Sequence, residues 1–134
     1  MKFWLMKSEP SAYSIDDLQR DGTTSWEGVR NFQARNFLRA MAVGDKVLFY
    51  ASSADPSGVT GLAEVTGQAR PEPKDRDWSM VDIRFVARFP DTVGLETLKK
   101  TRGLEKMVVT QKGSRLSVQP VTKAEYDIIV KLGK

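Results

Sequence analysis

The sequence contains neither cysteine nor histidine in its 134 residues. These two absences exclude disulfide bonds, thiolate nucleophiles, Ser-His and Cys-His catalysis and the usual zinc sites, because each of these needs one of the two side chains. A magnesium site built from carboxylates alone stays open. On this basis we expect no cofactor and no metal ion.

Long apolar runs are also lacking. No stretch approaches the ~18 residues of a membrane span, so no membrane partner is expected. The apolar N-terminal stretch from Phe3 to Met6 is short and lacks a small-residue cleavage site, which argues against an export signal. Together with the missing disulfides, this predicts a cytoplasmic location.

The composition is that of a soluble globular protein, with 40% apolar and 28% charged residues. Its length fits one domain spanning residues 1–134, for which we expect a monomer. The net charge of +4 favours polyanionic partners, with nucleic acid first, although many basic proteins bind no nucleic acid.

The hydrophobic pattern predicts a mixture of strands and short helices. Residues 23–29 are predicted to form a polar loop, Pro90 to end a strand, and residues 112–114 to form a turn. Strands are predicted over 2–6, 46–51, 59–67, 78–89, 107–110 and 116–119, and helices over 15–20, 34–41, 95–100 and 123–132. Because helices and strands do not alternate regularly, the pattern favours an α+β fold, a mixed sheet of five to six strands curled into a small β-barrel.

One polar and aromatic cluster surrounds the start of the second helix. Extruded or single-stranded bases are held by aromatic stacking and by hydrogen bonds to their edges, which Asn and Gln amides make well. Spacing alone favours a simpler interpretation, in which the tryptophan fills the core and the polar residues form a solvated face. The crowding of amides among arginines points instead to binding. The cluster comprises Trp26, Arg30, Asn31, Gln33, Arg35 and Asn36.

Three further segments are candidates. Strand alternation places Trp78 on a mixed face, where it is either a pocket wall or a cover over the barrel end. Lys7, Ser8 and Glu9 follow the first strand and suit either phosphate and base contacts or an ordinary strand end. Arg115 and Ser117 alternate with apolar residues, as in a phosphate-contacting edge or a simple amphipathic strand.

These segments together resemble the EVE domain family. The resemblance rests on seven ordered motifs, which are residues 4–10, 13–18, 26–36, 44–45 with 49–50, 61–65, 78 with 80–82, and 115–122. It implies a PUA-like fold related to the YTH and ASCH domains, and a pocket for a modified base such as a methylated or hydroxymethylated cytosine in DNA. The site residues it implies are Lys7, Ser8, Trp26, Arg30, Asn31, Gln33, Asn36, Tyr50, Trp78, Arg115 and Ser117.

Two departures from the family pattern stand out. Ala51 occupies a position where many relatives have histidine, and the loop over residues 71–77 is shorter than in many relatives. The alanine predicts a pocket that lacks one polar contact. The shorter loop predicts a reduced flap over the site.

The leading hypothesis is a non-catalytic module for DNA or RNA carrying modified bases. One base leaves the stack and meets Trp26 or Trp78 face-on, while Ser8, Asn31 and Asn36 hydrogen-bond its edge. Two alternatives stay open. One is an ASCH-like amidohydrolase of modified nucleosides that uses residues 7–9, and the other is a PUA-like module for structured RNA.

Overall fold

A computed structural model describes residues 1–111 and 115–134 and shows six strands in one mixed sheet with four α-helices. The sheet order is β2-β5-β4-β3-β1-β6, in which only the β1–β3 pair is parallel among the described strands. The strands are β1 (Phe3–Ser8), β2 (Thr23–Trp26), β3 (Lys46–Ala51), β4 (Gly58–Pro71), β5 (Ser79–Gly94) and β6 (Val118–Val121). The helices are α1 (Ile15–Asp21), α2 (Phe32–Ala40), α3 (Leu95–Lys100) and α4 (Lys123–Gly133), and a short 3₁₀ turn spans Val108–Thr110.

The helices begin where their capping residues predict. Ser14 and Thr122 each cap a helix through a reciprocal capping box, with Asp17 and Glu125 at the third helical position. Asn31 caps α2, and its side-chain oxygen accepts a hydrogen bond from the Ala34 amide. All four predicted helices are confirmed, and three of them, α1, α2 and α4, begin at a side-chain cap, whereas α3 follows Gly94 without one.

Several predicted strand boundaries are wrong. Residues 23–26 form edge strand β2 and not a loop, since Thr23 to Trp26 pair with β5 and only Trp26 is buried. Pro90 does not end β5, because it falls in a stretch where the ladder with β4 is irregular and no amide donor is needed. The strand predicted over 107–110 is a 3₁₀ turn, and β6 begins at Val118. The turn predicted at 112–114 lies outside the described residues.

The predicted barrel is not closed. Within residues 1–111 and 115–134, edge strands β2 and β6 do not pair with each other. Helix α2 contacts β4, β5 and β6, so it covers the face that a closing strand pair would have enclosed. Shifts of register between β4 and β5, near Gly61 and Gly67, bend the sheet.

The curled sheet buries apolar side chains on both faces. One core contains Trp4, Met6, Trp26 and Phe49 under α1 and α2. The other is built around Leu5, Leu48 and Tyr50 with residues of α3 and α4. Of the helices in the described residues, none has the length and apolar character needed to cross a bilayer.

Candidate nucleic-acid interface

A cavity of about 590 Å³ opens between the end of β1 and edge strand β2. We call it the main cavity. It occupies the gap that an open sheet leaves, since β1 and β2 are separated by three other strands in the sheet order. Six of the eleven predicted site residues line it, which are Lys7, Ser8, Trp26, Arg30, Asn31 and Ser117.

Trp26 belongs to both the core and the cavity wall. It is only 8% exposed, and its ring meets Phe49 edge-on with centroids 5.5 Å apart. The core-filling interpretation and the cavity interpretation from the sequence are therefore compatible. Most of the indole surface is used in packing, so only a small part of it is available to the cavity.

The loop after Trp26 is fastened by a buried glutamate that sequence reasoning missed. Glu72 is 5% exposed and accepts two hydrogen bonds of 2.8 Å from the Arg30 guanidinium. It also accepts one of 3.1 Å from the Gly28 amide, a residue with a φ of +84° that suits glycine. The hydrogen bonds from Arg30 lower the pKa of Glu72 and outweigh the effect of burial. Arg30 therefore shapes the wall, and its charge is largely matched by Glu72.

The side-chain oxygen of Asn31 is used in capping α2, whereas its side-chain nitrogen is available for binding. Its Oδ1 accepts from the Ala34 amide at 2.9 Å as the cap of α2. In the described part of the chain, its Nδ2 has no hydrogen-bond acceptor. The residue therefore presents a donor to the main cavity.

Lys7 and Ser8 are positioned by the end of β1. The Lys7 amide donates to the Ser117 carbonyl at 2.8 Å, which brings the segment before β6 to the main cavity. The pairing of β1 with β3 sets Lys7 opposite Tyr50, and Lys7 Nζ lies 5.6 Å from the centre of the Tyr50 ring. Burial lowers the pKa of Lys7 and raises the pKa of Tyr50. Tyr50 itself is buried in the second core and does not line the cavity.

The Lys7–Ser8 pair does not form a nucleophile and base. Such a pair needs a hydrogen bond from the hydroxyl to the amine. The Ser8 hydroxyl instead donates to the Tyr13 carbonyl at 2.7 Å, and the Lys7 amine faces Tyr50. The geometry in the described residues therefore gives the amidohydrolase alternative no support.

A second depression, the side groove, extends from the main cavity. It has a volume of about 480 Å³ and shares Asn31 with the main cavity. Gln33 and Arg115 line it, together with Phe37 and Leu116. The predicted site residues Gln33 and Arg115 thus lie beside the main cavity and not in it.

Asn36 and Trp78 are not brought to either depression. Asn36 is exposed on α2. Trp78 precedes β5 and packs on the start of α2, with its ring stacked on Phe32 at 5.1 Å. It therefore does not form a wall of either depression, which was one of the two interpretations left open by strand alternation. Arg30 and Arg35 also lie close to this pair, with guanidinium carbons 5.2 and 5.7 Å from the Trp78 ring. We call Arg30, Phe32, Arg35 and Trp78 the aromatic cluster.

Sequence reasoning missed several residues that line the main cavity. The most informative is Glu27, the one carboxylate among the described lining residues, which has no hydrogen-bond or ion-pair partner within the described chain. Tyr13, Thr24 and Ser25 line it as well. Thr24 and Ser25 fell in the loop predicted over residues 23–29, where strand alternation was not considered. Ala51 lines a neighbouring depression of about 220 Å³, which shares Ser8 and Tyr13 with the main cavity, and Ala51 is not itself a lining residue of the main cavity.

The protein is a mixed α+β domain whose sheet stays open among the described residues. A cavity lined by polar and aromatic side chains occupies the opening. The EVE domain family model matches residues 2–132, and the chain belongs to the EVE domain family.

Several proteins are similar to this chain in sequence or in structure. Human thymocyte nuclear protein 1 is 37% identical over 163 residues, covering 96% of this chain and 72% of the relative. That alignment is longer than the 134 residues here, so the relative carries residues that this chain lacks. A crystal structure of a Pseudomonas syringae protein is 44% identical with a TM-score of 0.94, covering 98% of this chain and 99% of that one.

A structure of human thymocyte nuclear protein 1 contains DNA with 5-methylcytosine. It is 35% identical to this chain, has a TM-score of 0.88, and covers 100% of this chain and 98% of its own. A YTH domain from Zygosaccharomyces rouxii matches at 16% identity with a TM-score of 0.60. This last likeness shows a shared fold alone.

Proposed function

We propose that this protein is a non-catalytic module that binds nucleic acid carrying a modified base, of the methylated or hydroxymethylated cytosine type, and takes that base into the main cavity. The observation that carries the proposal is the content of the cavity. Its volume of about 590 Å³ falls within the range of small-ligand pockets, and an aromatic wall lies beside free polar groups.

The free polar groups suit the edge of a cytosine. Glu27 offers an acceptor and Asn31 Nδ2 offers a donor, whereas the Ser8 hydroxyl and Asn31 Oδ1 are already used. Cytosine presents an exocyclic amino donor beside ring acceptors, and a carboxylate is a suitable acceptor for that amino group. The cavity therefore complements a base with an amino group better than it complements a phosphate.

The charges around the cavity suit a strand that passes over it. Lys7, a lining residue whose amine lies over the Tyr50 ring, and Arg115 in the side groove have no acidic partner among the described residues. Phosphate contacts by such side chains position a nucleic acid without reading its sequence. The DNA complex of the human relative supports DNA as the first partner to test.

Binding of short oligonucleotides tests the proposal. Matched strands carrying cytosine, 5-methylcytosine or 5-hydroxymethylcytosine at one position would be titrated with the wild-type protein. We expect tighter binding of at least one modified strand. Equal affinity for all three strands would contradict the proposal.

Two matched variants then locate the binding site. Asn31→Asp keeps the cap oxygen and removes the free donor, while Asn36→Asp makes the same charge change on the exposed face of the same helix. We expect the first variant to lose the preference for the modified strand and the second to keep it. Equal behaviour of the two variants would place recognition outside the main cavity. The monomeric state and the cytoplasmic location stay predictions from the sequence.

A further inference from the structure

Phe32 is an exposed aromatic side chain that follows a lining residue of the main cavity, Asn31, in the sequence. It is 64% exposed, a large fraction for a phenylalanine. It is also the first residue of α2. An exposed apolar ring is thus attached to the backbone one residue after the wall of the main cavity.

The ring is supported from behind. It stacks on Trp78 with an interplanar angle of 22°, and the Arg35 guanidinium carbon lies 4.9 Å from its centre. Arg35 is fixed in turn by a 3.0 Å hydrogen bond to the Asp77 carbonyl. These contacts hold the ring in one direction although it is largely exposed.

Taking a base out of a duplex leaves a space between its two neighbours. The unstacking costs free energy, and nucleic-acid-binding proteins commonly insert apolar side chains, phenylalanine among them, between base steps. The groups that line the main cavity recognise the extruded base and cannot also fill the space that it leaves.

We propose that Phe32 enters the space vacated by the extruded base and stacks through its free face on a neighbouring base, while Trp78 supports the other face and Arg35 lies beside the ring. This inference rests on the proposed function and adds to it the residue that stabilises the opened duplex. The partner it implies is double-stranded nucleic acid, since a single strand needs no such filling.

The test compares Phe32→Ala with Phe32→Leu, and uses Val43→Ala as a control at another apolar residue that is 61% exposed. Each protein would be titrated with a duplex carrying one 5-methylcytosine and with the same modified strand alone. Stacking on an aromatic ring affects affinity by roughly tenfold or more, so Phe32→Ala should weaken duplex binding by about that factor. We expect a smaller loss for Phe32→Leu and a change below about twofold for the single strand.

A fluorescent 2-aminopurine next to the modified base gives a second measurement. Wild-type protein should change its emission in the duplex, and Phe32→Ala should reduce that change. Equal losses for duplex and single strand, or no loss for either, would overturn the role of Phe32. The role of Phe32 would also be overturned if the wild-type protein did not bind the duplex.

The two proposals fail in different ways. If wild-type protein shows no preference for a modified base, the proposed function fails. If the preference is intact and Phe32→Ala binds the duplex normally, only the role of Phe32 fails. Thermal unfolding of each variant confirms that the protein is folded before binding is measured.

Discussion

Glu72 and Arg30 lie 42 residues apart in the chain and are joined by two hydrogen bonds of 2.8 Å. Through this pair, the loop between β4 and β5 fixes the segment that forms one wall of the main cavity. The relationship makes Glu72 a positioning residue for a site that it does not line.

Replacing Glu72 with alanine should disturb binding more than folding. The Arg30 guanidinium and the Gly28 amide lose their acceptor, so the wall becomes mobile while both cores stay intact. We expect weaker binding of modified oligonucleotides and a decrease of only several °C in the unfolding temperature. Glu96→Ala is the control, since Glu96 is an exposed carboxylate whose ion-pair partner Lys99 is 3.9 Å away. Unchanged binding by Glu72→Ala would show that the pair does not position the wall.

Asp45 should govern part of the stability at low pH. It is 2% exposed, and although burial alone would raise its pKa, hydrogen bonds from the Ala42 and Lys2 amides and the Trp4 indole lower the pKa overall. A lowered pKa in the folded state means that the carboxylate stabilises the protein above its ordinary value of 3.8. That contribution disappears as the pH falls below this value and through the lower pKa of the folded state.

Thermal unfolding between pH 2 and pH 7 checks this prediction. Asp45→Asn should unfold at a lower temperature than wild type at pH 7, and the difference should shrink as the pH falls below about 4. Asp91→Asn, at an exposed position, should follow the wild-type curve. A difference between Asp45→Asn and wild type that is constant with pH would argue against a stabilising carboxylate at residue 45.

Glu27 should determine the preference of the protein between two bases that differ at one exocyclic group. Thymine and 5-methylcytosine share the methyl group and differ in having an oxygen or an amino group at position 4. In single strands, wild-type protein should prefer 5-methylcytosine by about tenfold, the effect of one good hydrogen bond to a base edge. Glu27→Gln should lose most of this preference, because an amide can both donate and accept.

The control for Glu27→Gln is Glu9→Gln, which makes the same charge change at an exposed residue near the cavity. It should keep the preference for 5-methylcytosine over thymine. If both variants or neither variant loses that preference, Glu27 does not contact the amino group.

Arg115 should contribute to affinity without affecting base preference. A side chain that contacts one phosphate changes the slope of log K against log salt by about 0.9 on duplex DNA. Arg115→Ala should therefore bind more weakly at low salt, with a slope smaller by about that amount. Lys131→Ala in α4 removes the same charge away from both depressions and should leave the slope unchanged. An unchanged slope for Arg115→Ala would show that Arg115 does not contact a phosphate and that the nucleic acid does not pass along the side groove.

Local patterns allowed the helices and part of the site to be predicted. Ser14 and Asp17 define the start of α1 within four residues, and Thr122 and Glu125 do the same for α4. Lys7, Ser8 and Asn31 were expected at the site, and the structure places all three at the main cavity. Their position follows from strand ends and helix starts, which the sequence displays directly.

What could not be predicted depends on contacts between distant segments. Thr23 and Thr24 belong to a strand only because β5 passes beside them, and β5 begins more than 50 residues later. The role of Glu72 depends on Arg30 in the same way. Trp78 was predicted to be either a pocket wall or a cover over the barrel end, and its packing against Phe32 was not foreseen. Strand alternation says which face a residue takes and not which neighbour covers that face.

The open sheet has a consequence for how selectivity can change over evolution. The walls of the main cavity come from β1 and β2, so its width depends on how strongly the intervening strands coil. Gly61 lies at one of the register shifts in the β4–β5 ladder, where an added Cβ would collide with the Ala87 carbonyl. Substitutions far from any bound base, at such bends, would widen or narrow the opening while leaving every contacting side chain unchanged. Under the proposed function, the size of the base that fits is thus a property of the whole sheet, and the choice between bases of that size is a property of a few side chains.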